Sequence, residues 1–206
     1  MFKILLAALL GAVVCVAWGA VSWMGFQWHN STLNKFADEA LVGTIIKADA
    51  GTVLKFKGQT SGVFMLPFGP TTGERAASED SKTRNQAARK AHDDGPYVYA
   101  VVRPGPKSAS MAMNLGFAAG RSFAACVIIA LLLSWTMRLD YIQRVFFCAI
   151  AGLFAGLVSD VPMLIWFEAP LRHTLINIAD HLCEWFLAGL AIAAFVPGRE
   201  IWEKFR

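Results

Sequence analysis

The sequence predicts a membrane protein: an α-helical bundle of four transmembrane helices with a small α+β unit outside the bilayer. Three observations predict it. Of 206 residues, 56% are hydrophobic and 17% charged, against roughly a quarter charged in soluble domains, and mean hydropathy is +0.47. The apolar residues are gathered into long runs and do not recur with the period of a surface helix or strand. Four of these runs reach the roughly 20 residues that a hydrocarbon core about 30 Å thick requires.

The first run, 4–24, holds 21 residues without a charge. Lys3 precedes it, as in a signal peptide, but the run exceeds the roughly 7–15 residues of such a segment. No clean small-x-small cleavage site follows, so the run is read as an uncleaved anchor. The second span, 115–137, carries Arg121 as its only charge. The third, 145–167, contains Asp160 and Pro162. The fourth, 171–196, opens on a polar stretch before turning apolar, and Pro170 suits its first turn, where a missing N–H is harmless. Two small-x-x-x-small pairs, Gly116/Gly120 and Gly152/Gly156, are expected to let helices pack closely. All four cysteines fall inside apolar runs. They read as small buried hydrophobes, with neither a CxxC site nor a disulfide framework.

Orientation follows from the short flanks. Lys3, Arg138, Arg144, Arg199, Lys204 and Arg206 fall on one side, and the loop between spans three and four holds Arg172 alone. The positive-inside bias puts both termini in the cytoplasm and residues 25–114 outside, in the periplasm of a bacterial inner membrane. The eleven Lys/Arg of 25–114 do not oppose this, because regions so long cross largely regardless of charge. Trp23, Trp28 and Trp166 are expected at the outer interface and Trp135 at the inner one. The tail 197–206, "REIWEKFR" at its end, reads as an amphipathic segment with Trp202 and Phe205 toward lipid.

Within 25–114, Ser31 or Thr32 is expected to cap a helix whose apolar positions are Leu33, Phe36, Ala37, Ala40, Leu41 and Ile45. "TVLKFK" (52–57), "VFMLP" (63–67) and "YVYAVV" (97–102) read as three strands. The polar stretch from Thr71 to Asp94 reads as a solvated helix capped by Ser78 or as disordered chain. The expected order is α-β-β-α-β. "SGVFMLPFGP", then a polar helix, "GPYVYAVVRPGP" and "WFLAGLAIAAFV" together resemble a family of uncharacterised bacterial four-span inner-membrane proteins. The resemblance spans most of the chain, implies this same topology and carries over no catalytic residue.

Charges inside spans cost roughly 2.5–3.5 kcal/mol each at the helix centre, so those present need partners. Counted from the outer ends, that of the last apolar run being Leu175, Arg121, Asp160, Asp180 and Glu184 lie five to nine residues in, roughly 7–14 Å deep at 1.5 Å per residue. They form one polar layer. On the last helix Asn177, Asp180, His181 and Glu184 share a face at i, i+3, i+4, i+7, and His173 extends the stripe. The structural expectation is that Arg121 pairs with Asp160 or Glu184, while Asp180 and His181 reach water or the outer unit. The functional expectation is a proton or cation site, since three carboxylates face one arginine beside a titratable imidazole. His173, His181, Glu184 and Asp180 are weak metal candidates; no metal or cofactor is expected. His29 and His92 read as ordinary polar residues.

No GxxxxGK[ST], GxSxG, HExxH or GxGxxG occurs, so no enzyme chemistry is signalled. The net charge of +4 is diffuse, with no aromatic-interleaved basic run of the kind that tracks nucleic acid. The expected function is therefore non-enzymatic: an accessory or assembly subunit that presents its outer unit to a protein partner or to further copies of itself. The alternative is a small proton- or cation-coupled transporter or sensor using the polar layer.

Overall fold

The computed structural model of the chain describes residues 2–66, 86, 90, 93–106, 110–136 and 139–196. It divides into two compact units, Met1–Asn34 with Ala109–Arg206, and Lys35–Ser108. His92 and the tail 197–206 lie outside the described residues, as does almost all of Thr71–Asp94.

The first unit contains four helices long and apolar enough to cross a membrane. They are α1 (Phe2–Ala20, continuing as a π-helical turn Val21–Gly25), α3 (Met111–Trp135), α4 (Tyr141–Phe167) and α5 (Leu171–Phe195). Helices α3 and α4 begin four residues earlier than the apolar runs suggest, because polar caps set their starts. Ser110 Oγ accepts from Met113 N at 3.2 Å. Asp140 and Gln143 form a reciprocal capping box at 2.8 and 3.1 Å, which satisfies two otherwise orphaned N–H groups. Pro170 is the N-cap of α5, one position before the expected first turn. At the other end of the unit, Arg144 donates to the carbonyls of Leu139 (3.0 Å) and Val196 (2.9 Å). A cation on the last carbonyls of α5 complements the helix dipole.

Helix α1 packs against α3 and α5, and α5 packs against α1 and α4, while α3 and α5 barely touch. The order α3–α1–α5–α4 places α5 between two neighbours. Small residues allow this: Ala7, Ala8, Ala12 and Cys15 of α1 meet Cys126 and Ala130 of α3 and Ala188 and Ile192 of α5. A Cβ on Gly11 would lie 2.7 Å from the Ile192 side chain, so the glycine lets α1 and α5 approach closely there. Large apolar side chains such as Ile128, Ile150, Phe154 and Ile165 face outward, an arrangement suited to lipid and not to water.

Gly152 and Gly156 stand against α5. A Cβ at Gly152 would come within 2.6 Å of the His181 carbonyl oxygen and of Trp185 Cβ, and one at Gly156 would lie 3.1 Å from Ile178 Cα. The expectation for Gly116 and Gly120 is corrected: among the described residues nothing lies within 4 Å of a Cβ built at either. Among the described residues, no neighbour covers the Gly116/Gly120 face of α3.

In the second unit, α2 runs from Glu39 to Phe56 with Asp38 as its N-cap, accepting from Leu41 N at 2.8 Å. This corrects two expectations. Ser31 and Thr32 cap no helix; they sit in a 3₁₀ turn, their hydroxyls donating back to the Trp28 and His29 carbonyls. "TVLKFK" is the end of α2, not a strand. No breaker precedes Gly58, whose φ of +64° ends the segment, and Ala50 and Leu54 at i, i+4 form the helix's buried face. Strands β1 (Gly62–Leu66) and β2 (Val98–Val102) pair antiparallel, Gly62 opposite Val102 and Leu66 opposite Val98. A Cβ on Gly62 would sit 2.8 Å from Leu54 Cδ2, so α2 lies tightly on the sheet.

Candidate functional site: the polar layer

The stripe on α5 is two stripes. Asn177 and His181, one turn apart, face α4, whereas Asp180 and Glu184, also one turn apart, face α1 and α3. An α-helix wedged between two neighbours divides its polar face in this way, since i, i+4 pairs form separate ridges.

Asp180 is enclosed. Trp18 Nε1 donates to its Oδ1 at 2.8 Å and Ser22 Oγ donates to the same oxygen at 2.6 Å. His29 Nε2 lies 3.6 Å from Oδ2. Because Ser22 has only one proton, already given to Asp180, its oxygen accepts from its other neighbours. These are Trp28 Nε1 at 3.0 Å and His29 Nε2 at 3.1 Å, which makes Nε2 the protonated nitrogen of His29. The imidazole, 2% exposed, stacks on Trp23 with 4.1 Å between centroids and 1° between planes. A hydrolytic Ser-His-Asp triad needs serine and aspartate on opposite ring nitrogens. Here both face Nε2, and Ser22 is buried, so the arrangement is a cage and not a nucleophile.

Asp180, expected to reach water or the outer unit, is bonded to α1 and keeps 17% of its side chain exposed, whereas the reading of His29 as an ordinary polar residue is corrected by its burial. Trp18, Ser22 and His29 were not among the expected site residues. The signal available was Trp18 and Ser22 at i, i+4 near the outer end of span one.

The α4 side is looser. Asn177 Nδ2 donates to Asp160 Oδ1 at 3.0 Å, and Ser159 Oγ donates to Oδ2. His181 lies between two carboxylates, Nε2 3.6 Å from Asp160 Oδ2 and Nδ1 4.0 Å from Glu184 Oε2. Arg121 chooses Glu184 over Asp160, with NH2 3.5 Å from Oε1. Its side chain is 70% exposed while that of Glu184 is 12% exposed, so a buried carboxylate meets a largely exposed guanidinium.

His173 does not join this group. Its Nδ1 lies 2.8 Å from Thr32 Oγ1, and since Thr32 donates to the His29 carbonyl, the imidazole is the donor. The weak metal candidates His173, His181, Glu184 and Asp180 therefore do not converge; among the described residues no three His, Cys, Asp or Glu side chains are placed to hold an ion. The Cys15 and Cys126 thiols touch at 4.0 Å, both buried. No family model, curated protein or solved structure matches the chain.

Proposed function

We propose that the chain is a non-enzymatic integral protein of a bacterial inner membrane, one of the four-span proteins that its short motifs resemble. In this reading both termini are cytoplasmic and residues 25–114 periplasmic. Its role is that of an accessory or assembly subunit that presents the Lys35–Ser108 unit to a protein partner. The observation that carries the reading is apolar surface on that unit. Val63 and Val101 are directly paired across the two strands, yet are 62% and 74% exposed. On α2, Leu41, Ile45 and Phe56 are also exposed. A two-stranded sheet is marginal by itself, and uncovered apolar area of this kind marks an interaction site. Purification in mild detergent followed by mass determination tests the reading: a partner at stoichiometric level is expected, and a chain that runs reproducibly alone contradicts it.

A second reading, a proton-responsive transporter or sensor, is favoured by one specific observation: His181 stands between two carboxylates without a hydrogen bond to either. In that reading Glu184→Gln keeps expression and folding but abolishes a proton-dependent flux or signal. Equal behaviour of variant and parent removes it.

A further inference from the structure

The geometry points to His181 as a proton-transfer residue that carries protons between Asp160 on α4 and Glu184 on α5, an inference that rests on the proton-responsive reading. Each ring nitrogen faces one acid, Nε2 at 3.6 Å and Nδ1 at 4.0 Å. Imidazole is suited to this because it takes a proton at one nitrogen while releasing another from the opposite nitrogen. Neither distance is a formed hydrogen bond, so neither acid holds the ring; a swing of about 1 Å to either side brings it to the usual length of about 2.8 Å.

The helix contact brings α4 close to the ring without a side chain between them. Gly156 presents no side chain to the imidazole, and a Cβ there would lie 3.3 Å from its Cδ2. Gly152 lets α4 approach the His181 carbonyl. The glycine pair thus seats a ring that a larger residue would jam. The other two histidines of this unit differ, because His29 donates to Ser22 at 3.1 Å and His173 to Thr32 at 2.8 Å. Both acids have supports independent of His181: Asn177 and Ser159 bind Asp160, and Arg121 pairs with Glu184. The charged and titratable groups around the ring are therefore Asp160, Glu184 and, through Glu184, Arg121, Asp180 and the Cys15 thiol of α1. Asp180 on the same helix is enclosed by α1.

The step balances without a co-reactant. Protonated Asp160 gives its proton to the Nε2 lone pair, breaking O–H and forming N–H. The Nδ1 proton passes to a Glu184 oxygen, breaking N–H and forming O–H. Net charge is unchanged and the ring is left as its other tautomer, with Nε2 protonated; a half-turn about Cβ–Cγ presents the protonated nitrogen to Glu184 and the lone pair to Asp160 again.

Infrared titration of the purified full chain in lipid nanodiscs reads this through the carbonyl stretch of protonated carboxyls, assigned with Asp160→Asn and Glu184→Gln. Asp160→Asn is expected to move the Glu184 midpoint by about one pH unit or more, as for groups sharing a proton. In a His181→Gln background that shift is expected to vanish. A midpoint unmoved by Asp160→Asn, or moved equally with and without His181, overturns the inference. Gly156→Ala keeps the histidine but narrows its seat, so it is expected to shrink the shift; an undiminished shift counts against the relay. Proton flux in proteoliposomes separates the two claims. Coupled carboxyls without flux remove transport and retain the relay, whereas flux with uncoupled carboxyls removes the relay and retains transport.

Discussion

Asp180 and Glu184 stand one turn apart on α5, and the helix holds them in different ways. Asp180 receives two hydrogen bonds of 2.6 and 2.8 Å from α1, and one of its donors, Ser22, is itself bonded to Trp28 and His29 of the connector that follows. Glu184 has long contacts, 3.5 Å to Arg121 and 4.0 Å to His181, and lies beside the buried Cys15 thiol of α1. Charge-assisted hydrogen bonds at short distance fix geometry and contribute strongly, while long pairs to an exposed cation contribute little. The difference teaches that a line of ionisable residues on one helix can divide into an anchor and a movable part. The anchor fixes α1 and the connector against α5. The movable part lies where the polar groups of α4 and α3 meet the same helix.

The largest expected effect breaks the anchor. Asp180→Ala leaves the Trp18 indole and the Ser22 hydroxyl without their acceptor, two bonds to a charged group whose loss is expected to lower stability by about 3–5 kcal/mol. Thermal unfolding in detergent or loss of folded yield measures this. Next comes the glycine contact: Gly152→Ala drives a methyl into the His181 carbonyl region at 2.6 Å, an overpacking expected to cost about 1–3 kcal/mol. The matched change at Gly116 sharpens the comparison. Open space surrounds that position, so Gly116→Ala in the isolated chain is expected to be neutral or to stabilise by up to about 1 kcal/mol through helix propensity. The same motif thus predicts opposite signs, depending only on whether a helix covers it.

Much of this fold was legible in the sequence. Twenty-residue apolar runs admit few conformations, because backbone polar groups in hydrocarbon must bond within their own helix. The helix starts were less legible: Ser110 and Asp140 sit outside the runs, where hydropathy carries no signal. "TVLKFK" misled because a short alternating run also fits the end of a helix, and burial of Leu54 against Gly62 decided between them.

Among the polar groups, formal charges stood out within apolar runs, and Arg121 meets Glu184, one of the two partners expected for it. Ser22 and Trp18 are neutral and tolerated in spans, so nothing in their type marked them. His29 lies 151 residues from Asp180, and only the packing of α1 on α5 brings them together. The two GxxxG pairs read identically in sequence, since neighbours and not residues decide which is filled.

The central claim is that Asp180 anchors while Glu184 does not, and neutralising each without changing its size tests it most directly. Thermal unfolding of Asp180→Asn and Glu184→Gln in the same detergent compares them. Loss of charged-group hydrogen bonds worth about 1.5–3 kcal/mol predicts that Asp180→Asn lowers Tm by at least about 4 °C. Glu184→Gln is predicted to stay close to the parent. A Glu184→Gln protein destabilised as much as Asp180→Asn, or more, would contradict the account.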